Sequence, residues 1–480
     1  MVANVVEMQA QNPQLAELHR IFHLQQQAFR QKPMPSADER IAHLSQFKRV
    51  LLKYTDALAQ AACDDFGSRS LDETKFAEIL TTLEAIKYYQ KNVRKWMRPE
   101  KRHVSALQMP ASAKVYYQPL GVVGVIVPWN YPIFLATGPL MCALAAGNRV
   151  MIKMSGFTPR VGETVKQMLA EAFPEEHVAV FTGRGEISEA FPKLPFDQLT
   201  FTGSTNVGRT VMAEAARNLT PVLLELGGKS PVVVHDSYPI ADAAERISFG
   251  KCWNAGQTCV APDYLMLPKG KTQEFVDAFT AQVGKMYPTM LNNPDYTSII
   301  NEKQYKRVQG YLEDARAQGA RIIEINPANE SFVNTRKMPI TLVTNVTPDM
   351  QIMQNEIFAP VLAVTEYSTL DDAIGYINAR PRPLALYYFD WDGRRAEYVA
   401  ANTHSGGMCV NEVMSHVGVD DLPFGGVGAS GMGKYHGREG FLAMSNAKSI
   451  LEKPKFYALR YFLPPFNKGI HKFVKNYLLK

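Results

Sequence analysis

Val122-Val123-Gly124-Val125-Ile126-Val127, running straight into Pro128-Trp129-Asn130-Tyr131-Pro132, is the stretch on which the fold turns. Six uncharged residues, most of them β-branched, do not alternate wet and dry faces, so they read as a strand covered on both sides, as in parallel sheets. Apolar runs return at residues 149–153, 178–182, 199–202 and 222–226, each separated from the next by a helix-like stretch. Strand and helix alternating in this way predict an α/β fold with a doubly wound parallel sheet. A second α/β region opens at Pro231-Val232-Val233-Val234, passes through a helix over about 241–253 and continues through further βα units to about 426. The uncharged span 115–148 resembles a membrane helix in length, but Pro128, Asn130, Pro132 and Pro139 interrupt it, and buried strand, turn and helix are expected instead.

Upstream, residues 14 to about 100 are Ala- and Leu-rich and helically periodic. Ser36 before Glu39 and Ser70 before Glu73 mark two helix starts in capping-box spacing. A chain of 480 residues exceeds one compact core and suits two or three packed regions. With 46% hydrophobic and 20% charged residues it is neither disordered nor a small disulfide scaffold. Fifty-two Lys and Arg against 46 Asp and Glu leave +6, too mild and too dispersed to predict a nucleic-acid partner. The cysteines at 63, 142, 252, 259 and 409 form no C-x-x-C pair and, being odd in number, suit free thiols in a reducing cytoplasm. No export signal is read at Met1-Val2-Ala3-Asn4-Val5-Val6-Glu7, and no metal site is expected.

The chemistry-bearing residues cluster at strand ends. Phe201-Thr202-Gly203-Ser204-Thr205-Asn206-Val207-Gly208 lies between a strand and a helix, where small residues bring backbone N–H groups close to a pyrophosphate or simply make a tight βα turn. Gly426-Val427-Gly428-Ala429-Ser430-Gly431 matches the dinucleotide pattern more literally, yet lacks a strand-to-helix setting and reads as a packed loop at the domain junction. Cys259 closes the small, polar loop Asn254-Ala255-Gly256-Gln257-Thr258, so its thiol is either packing or a nucleophile facing a cleft. Glu225 sits among apolar residues in Val222-Leu223-Leu224-Glu225-Leu226-Gly227-Gly228; it is a general base with a raised pKa, a structural ion-pair partner or a ribose ligand. Asn130 follows its strand at the carboxyl edge of the sheet, as an oxyanion donor or an Asx turn between prolines.

Six motifs in order give the chain a specific resemblance to the aldehyde dehydrogenase superfamily over residues 114–441. They are Pro128-Trp129-Asn130-Tyr131-Pro132, Phe201-Thr202-Gly203-Ser204-Thr205, Leu224-Glu225-Leu226-Gly227-Gly228-Lys229-Ser230-Pro231, Gly256-Gln257-Thr258-Cys259, Asn355-Glu356-Ile357-Phe358-Ala359-Pro360 and Leu422-Pro423-Phe424-Gly425-Gly426-Val427-Gly428. Cys259-Val260-Ala261-Pro262-Asp263-Tyr264 and Tyr435-His436-Gly437 resemble its class 3 branch. Arg380-Pro381-Arg382-Pro383 and Asp420-Asp421-Leu422-Pro423-Phe424 resemble the coniferyl aldehyde dehydrogenases within it.

The resemblance implies NAD(P)-dependent oxidation of a hydrophobic aldehyde, aromatic ones such as coniferyl aldehyde included, to its acid through a cysteine thiohemiacetal and thioester. The alternatives are an acylating or acyl-reducing enzyme, and a catalytically retired structural or binding homologue. It implies catalytic roles for Cys259, Glu225 and Asn130, and cofactor contacts at Lys153, Gly203, Ser204, Glu356, Phe358 and Trp129. It divides the chain into a dinucleotide-binding domain at 1–103 and 119–227, a catalytic domain at 228–427, and an oligomerisation arm and tail at 104–118 and 440–480. A homodimer or dimer of dimers follows. Where many relatives carry a glutamate three residues after Lys153, this chain has Gly156; with that acid's repulsion and bulk absent, NADP is expected to be tolerated beside NAD. The tail, 455–480, holds six basic residues and no acid, with Ile470, Phe473, Val474, Tyr477 and Leu478 on one helical face. It is read as packing on a partner subunit or its own body, with a weak peripheral membrane contact as the alternative.

Overall fold

A computed structural model describes residues 12–105, 108–455 and 458–479. The amino-terminal heptad considered for an export signal lies outside the described residues, as do 456, 457 and 480 of the tail. Three long helices lead in: α1 (Pro13–Gln31), α2 (Ala37–Phe66) and α3 (Thr81–Trp96). The capping box at α2 forms as expected, with Ser36 accepting from the Glu39 N–H and Glu39 accepting in return from the Ser36 N–H. Ser70 likewise caps a short helix, Leu71–Thr74, which runs through one π-helical turn, Lys75–Leu80, into α3.

From there the chain lays down β1 (Glu100–Arg102), β2 (Ser112–Pro119), β3 (Val122–Ile126), α4 (Phe134–Ala146), β4 (Arg149–Lys153), α5 (Pro159–Ala172), β5 (Val178–Phe181), β6 (Gln198–Gly203), α6 (Thr205–Ala216) and β7 (Val222–Leu226). The second region holds β8 (Pro231–Val234), α7 (Ile240–Cys252), β9 (Tyr264–Pro268), α8 (Thr272–Met286), α9 (Glu302–Ala317), β10 (Arg321–Ile325), β11 (Ile340–Thr344), β12 (Val361–Tyr367), α10 (Leu370–Asn378), β13 (Ala385–Phe389), α11 (Gly393–Asn402) and β14 (Gly407–Val410). β15 (Gly431–Met432), α12 (Gly437–Ala443), β16 (Ser445–Glu452) and α13 (Gly469–Leu478) close the described chain.

Three sheets result. The first runs β15-β7-β6-β3-β4-β5, parallel except for β15, which pairs antiparallel with β7. Its strands are buried because helices cover both faces; α4 is apolar all round and buried along its whole length. The order reverses between β3 and β6, so their carboxyl ends diverge into a crevice, the place where open α/β sheets take ligands. The second sheet runs β10-β11-β12-β9-β8-β13-β14 and is parallel apart from the β10–β11 pair. The third is an antiparallel arm, β1-β2-β16, whose first strand begins a few residues before the stretch expected to start it. No helix of the described residues is long and apolar enough to cross a membrane.

Candidate functional site

Between the first two sheets lies a cavity of about 860 Å³, walled by Trp129 and Asn130 after β3, Gly203 and Ser204 at the start of α6, Glu225 on β7, and Cys259, Glu356 and Phe358 from the second region. Eight of the nine residues singled out from the sequence therefore meet in one space. The ninth, Lys153, does not stand on its wall.

Cys259 is placed by an unusual turn. After α7, Asn254 and Ala255 each adopt φ 50° and Gly256 φ 68°, three left-handed residues in succession. A side chain at Gly256 would run into the Ala359 carbonyl, so only glycine lets this turn lie so close to the next segment. Gln257 then holds the loop: its Nε2 donates to the Asn254 and Ser298 carbonyls at 3.0 Å each, and its Oε1 accepts from the Ile300 N–H at 2.9 Å. The half-buried Cys259 thiol is pushed up to about 12, first by burial and then by the fields of Glu356 and Glu225. At rest it is therefore a neutral thiol.

Asn130 and the thiol loop are tied together. The Asn130 amide Nδ2 donates to the Gln257 carbonyl at 3.2 Å, and the Asn254 amide donates back to the Asn130 carbonyl at 3.0 Å. Tyr131 and Thr258 share a hydroxyl hydrogen bond of 2.8 Å alongside. An amide donor and a thiol-bearing backbone thus flank the same space, the arrangement that a developing oxyanion needs.

Glu225 is 2% exposed and neither carboxylate oxygen has a hydrogen-bond partner. Burial holds its pKa well above the ordinary range, against the pull of the Lys434 charge. Among the three alternatives for this residue, the ion pair is absent, since the Lys434 ammonium is engaged by the Gly406 and Gly425 carbonyls. The glycine-rich loop beyond it is a packed turn, as its setting predicts: the Leu226 N–H donates to the Ser430 carbonyl, and Ala429 joins the cavity wall.

On the opposite wall, Glu356 reaches over Gly227, at a place where any side chain on 227 would collide with its carboxylate. Its pKa is raised to about 8 by burial, then by Asp263, and one oxygen is buried without a partner. Phe358, at φ 51°, sets its ring edge-on to Trp129 with centroids 5.4 Å apart. Gly203 packs against the Phe201 ring, and Ser204 caps α6, whose first residues, Thr205 and Asn206, line the cavity.

Lys153 ends β4 behind this wall, buried, its ammonium donating to the Met154 and Gly183 carbonyls at 2.8 Å each. Burial depresses it to about 8. The expectation that bulk is missing at Gly156 is corrected: the Arg184 side chain lies across Gly156, donates to its carbonyl, and sets its guanidinium 4.4 Å from the centre of the Phe157 ring. Space there is filled, but by a cation instead of an acid.

Several supporting residues escaped the sequence reading. Lys229 pairs with buried Asp263 and donates to the Ile352 and Asn355 carbonyls, while Asp263 accepts the Ile357 N–H at 2.8 Å. Arg307 donates to the Glu356 and Ile357 carbonyls. Lys229 lies inside a quoted motif and could have been noticed; Arg307, on the polar helix α9, gave no signal. Among the described residues no group of three His, Cys, Asp or Glu side chains could hold a metal ion.

Comparison with known proteins agrees with this geometry. The profile of the Aldehyde dehydrogenase family matches residues 3–450. A probable coniferyl aldehyde dehydrogenase of Pseudomonas aeruginosa is 52% identical over 474 residues, covering 99% of each chain. The coniferyl aldehyde dehydrogenase of Pseudomonas sp. strain HR199 is 46% identical over 435 residues, covering 90% of each. Among solved structures, the substrate-bound state of Staphylococcus aureus AldH superposes with a TM-score of 0.89 at 35% identity, over 96% of this chain and 99% of that one. A Mycobacterium tuberculosis aldehyde dehydrogenase complexed with NAD+ gives 0.83 at 29% identity, over 92% and 91%.

Proposed function

Because the chain belongs to the aldehyde dehydrogenase family, we propose that Cys259, Asn130 and Glu225 are the residues with which it oxidises an aldehyde to a carboxylic acid at the expense of NAD(P). The observation that carries this reading is their convergence, with Glu356 and Phe358, on a single cavity. The residues fit a dinucleotide: the capped start of α6 offers backbone N–H groups to a pyrophosphate, and the unpartnered Glu356 oxygen offers an acceptor to a ribose hydroxyl. When bound, the cofactor supplies the hydride acceptor.

Cys259 Sγ forms a bond to the aldehyde carbon as the carbonyl π pair moves onto oxygen, and the thiol proton leaves to solvent. The Asn130 Nδ2–H and the Cys259 backbone N–H then hold the oxyanion, for which each donor is worth about 3 kcal/mol. Loss of hydride leaves a thioester on Cys259. Glu225 takes a proton from water, hydroxide adds to the thioester carbon, and the carbon–sulfur bond breaks to give the acid and the thiolate. A water-activating carboxylate favours hydrolysis over acyl transfer to another thiol, so acid release without coenzyme A is expected, and Cys259→Ala should abolish it.

The two coniferyl-type relatives, together with an apolar wall that includes Leu135, Phe424 and Tyr435, support a hydrophobic aromatic aldehyde as substrate. A panel of aliphatic and cinnamyl aldehydes compared by kcat/KM tests this; preference for short aliphatic aldehydes would reject it. The cation over Gly156 supports use of NADP beside NAD, and free cysteines suit the cytoplasm. The arm β1-β2-β16, with an exposed outer strand, is assigned to pairing with a second copy. In the tail, His471 packs between Phe462 and Phe466 and bonds the Tyr461 carbonyl, leaving Ile470, Phe473 and Tyr477 exposed along α13. That stripe is assigned to a subunit contact, with an anionic lipid surface as the alternative.

A further inference from the structure

A buried ion pair lies behind the oxyanion donor, in the helical lead-in that no step of the reaction uses. Arg69 and Glu78 are both fully buried and meet at 3.0 Å. The remaining polar contacts of the pair run into the segment between β3 and α4. Arg69 Nη1 donates to the Asn130 carbonyl at 2.8 Å, while Glu78 Oε2 accepts from the Ile133 and Phe134 N–H groups at 2.8 and 2.9 Å. The guanidinium also stacks over Phe66 and Tyr131, at 4.9 and 5.1 Å from the ring centres.

Residues 128–133 lie outside every strand and helix, and apart from the Tyr131 and Ile133 carbonyls, which accept from the first N–H groups of α4, their backbone relies on contacts of this kind. A buried ion pair is a poor way to gain stability, since apolar residues of equal volume often do better. It does offer fixed geometry: Arg69 Nη1 donates to the Asn130 carbonyl while Nη2 faces Glu78 Oε1 by charge alone, and arginine's planar fork can serve a carbonyl and an anion at once. Glu78 is carried by the π-helical turn Lys75–Leu80, a local widening of the helix often found beside functional sites.

We propose that Arg69, locked by Glu78, is a positioning residue for Asn130. By holding the Asn130 backbone from behind, with Asn254 gripping the same carbonyl from the thiol loop, it fixes the side-chain amide relative to Cys259. The proposal rests on the reading of Asn130 as the oxyanion donor.

A double-mutant cycle on the full-length holoenzyme tests it. Arg69→Lys keeps a buried cation opposite Glu78 and the nearby buried Glu73 but gives up the fork. Glu78→Gln keeps the volume and one acceptor. Each is made alone and with Asn130→Ala, and read by kcat, aldehyde KM, cofactor Kd from tryptophan fluorescence, and melting. In the wild-type background, kcat should fall by about ten- to a hundredfold, with cofactor Kd unchanged. In the Asn130→Ala background, the same changes should move kcat by less than about twofold, since the residue they act through is gone. Equal losses in both backgrounds, wild-type kcat in both single variants, or kcat loss matched by weakened cofactor binding would overturn the proposal. So would failure of both variants to fold while Asn130→Ala folds, because the pair would then serve folding alone. Wild-type kcat in Asn130→Ala itself would instead remove the oxyanion reading, and the proposal with it.

Discussion

Replacing Glu225 by glutamine separates the two halves of the reaction. Glu225 is 2% exposed, its oxygens accept no hydrogen bond, and its nearest cation, Lys434, is held by two backbone carbonyls. The side chain therefore supports no neighbour, and Glu225→Gln, which keeps its volume, removes a base and little else. The one structural cost is an amide N–H left without a partner, about 1–3 kcal/mol. A positioned general base contributes about 10²- to 10⁴-fold, or roughly 3 to 5 kcal/mol of barrier. That loss should fall entirely on thioester hydrolysis, because attack by Cys259 and hydride loss do not require water. Rapid-mixing absorbance of the reduced cofactor should show a burst of about one equivalent per active site, followed by a steady state slower by that factor. Wild-type enzyme should show an acid limb in kcat displaced above the ordinary carboxylate range, because burial raises Glu225 and only its deprotonated form takes a proton from water. Glu225→Gln should lose that limb. A variant with no burst and an equally depressed first turnover would refute the assignment, since Glu225 would then act before the thioester forms. Wild-type turnover would refute it outright.

Gly156→Glu should push Arg184 aside and set a carboxylate in its place, lowering kcat/KM for NADP relative to NAD by about tenfold or more; an unchanged ratio would show that the adenosine end lies elsewhere. Lys153 is depressed to about 8 by burial, so its ammonium is lost as pH rises through that value. KM for the cofactor should climb from pH 7 to pH 9, and Lys153→Met should flatten the profile. A parallel climb in the variant would clear Lys153 of any role. Truncation after residue 454 should leave kcat for a soluble aldehyde unchanged and shift the sedimentation equilibrium toward smaller species if the tail is a subunit contact. Loss of flotation with anionic vesicles, at unchanged oligomer size, would favour the lipid alternative.

Much of the fold could be read because burial on both faces leaves a direct trace in composition. The runs at 122–127, 149–153 and 222–226 became β3, β4 and β7, since a strand roofed by helices on each side keeps charge out of its middle, as Arg149 and Lys153 at the two ends of β4 illustrate. Glu225, the charge that stands inside such a run, pointed to chemistry by violating it. Ser36 with Glu39 worked for a similar reason, because a capping box is closed within four residues. What could not be read depends on distant partners. β15 is two residues long and exists only because β7 offers it an edge, and β1, Glu-Lys-Arg, has the composition of a loop until β2 pairs with it. The π-helical turn at Lys75–Leu80 follows no propensity; its signal is the buried acid it carries.

The site divides along the same line. Cys259, Asn130 and Glu225 stand in short stretches whose odd composition shows locally, and Glu356 and Phe358 in a motif that carries the family resemblance, whereas the groups that hold them come from elsewhere in the chain. Arg69 is 61 residues from Asn130, and Arg307 is 49 from Glu356. Each donates to a backbone carbonyl, an acceptor common to every residue type, so the partner's identity leaves no mark in sequence. A reacting group is chosen for its own chemistry, while a positioning group is chosen for where the fold puts it. Lys153 is expected at the cofactor by resemblance alone, and the structure sets its ammonium among carbonyls behind the cavity wall. If it does serve the cofactor, it must exchange one of those bonds for the ligand, and that exchange is what the pH dependence of KM would report.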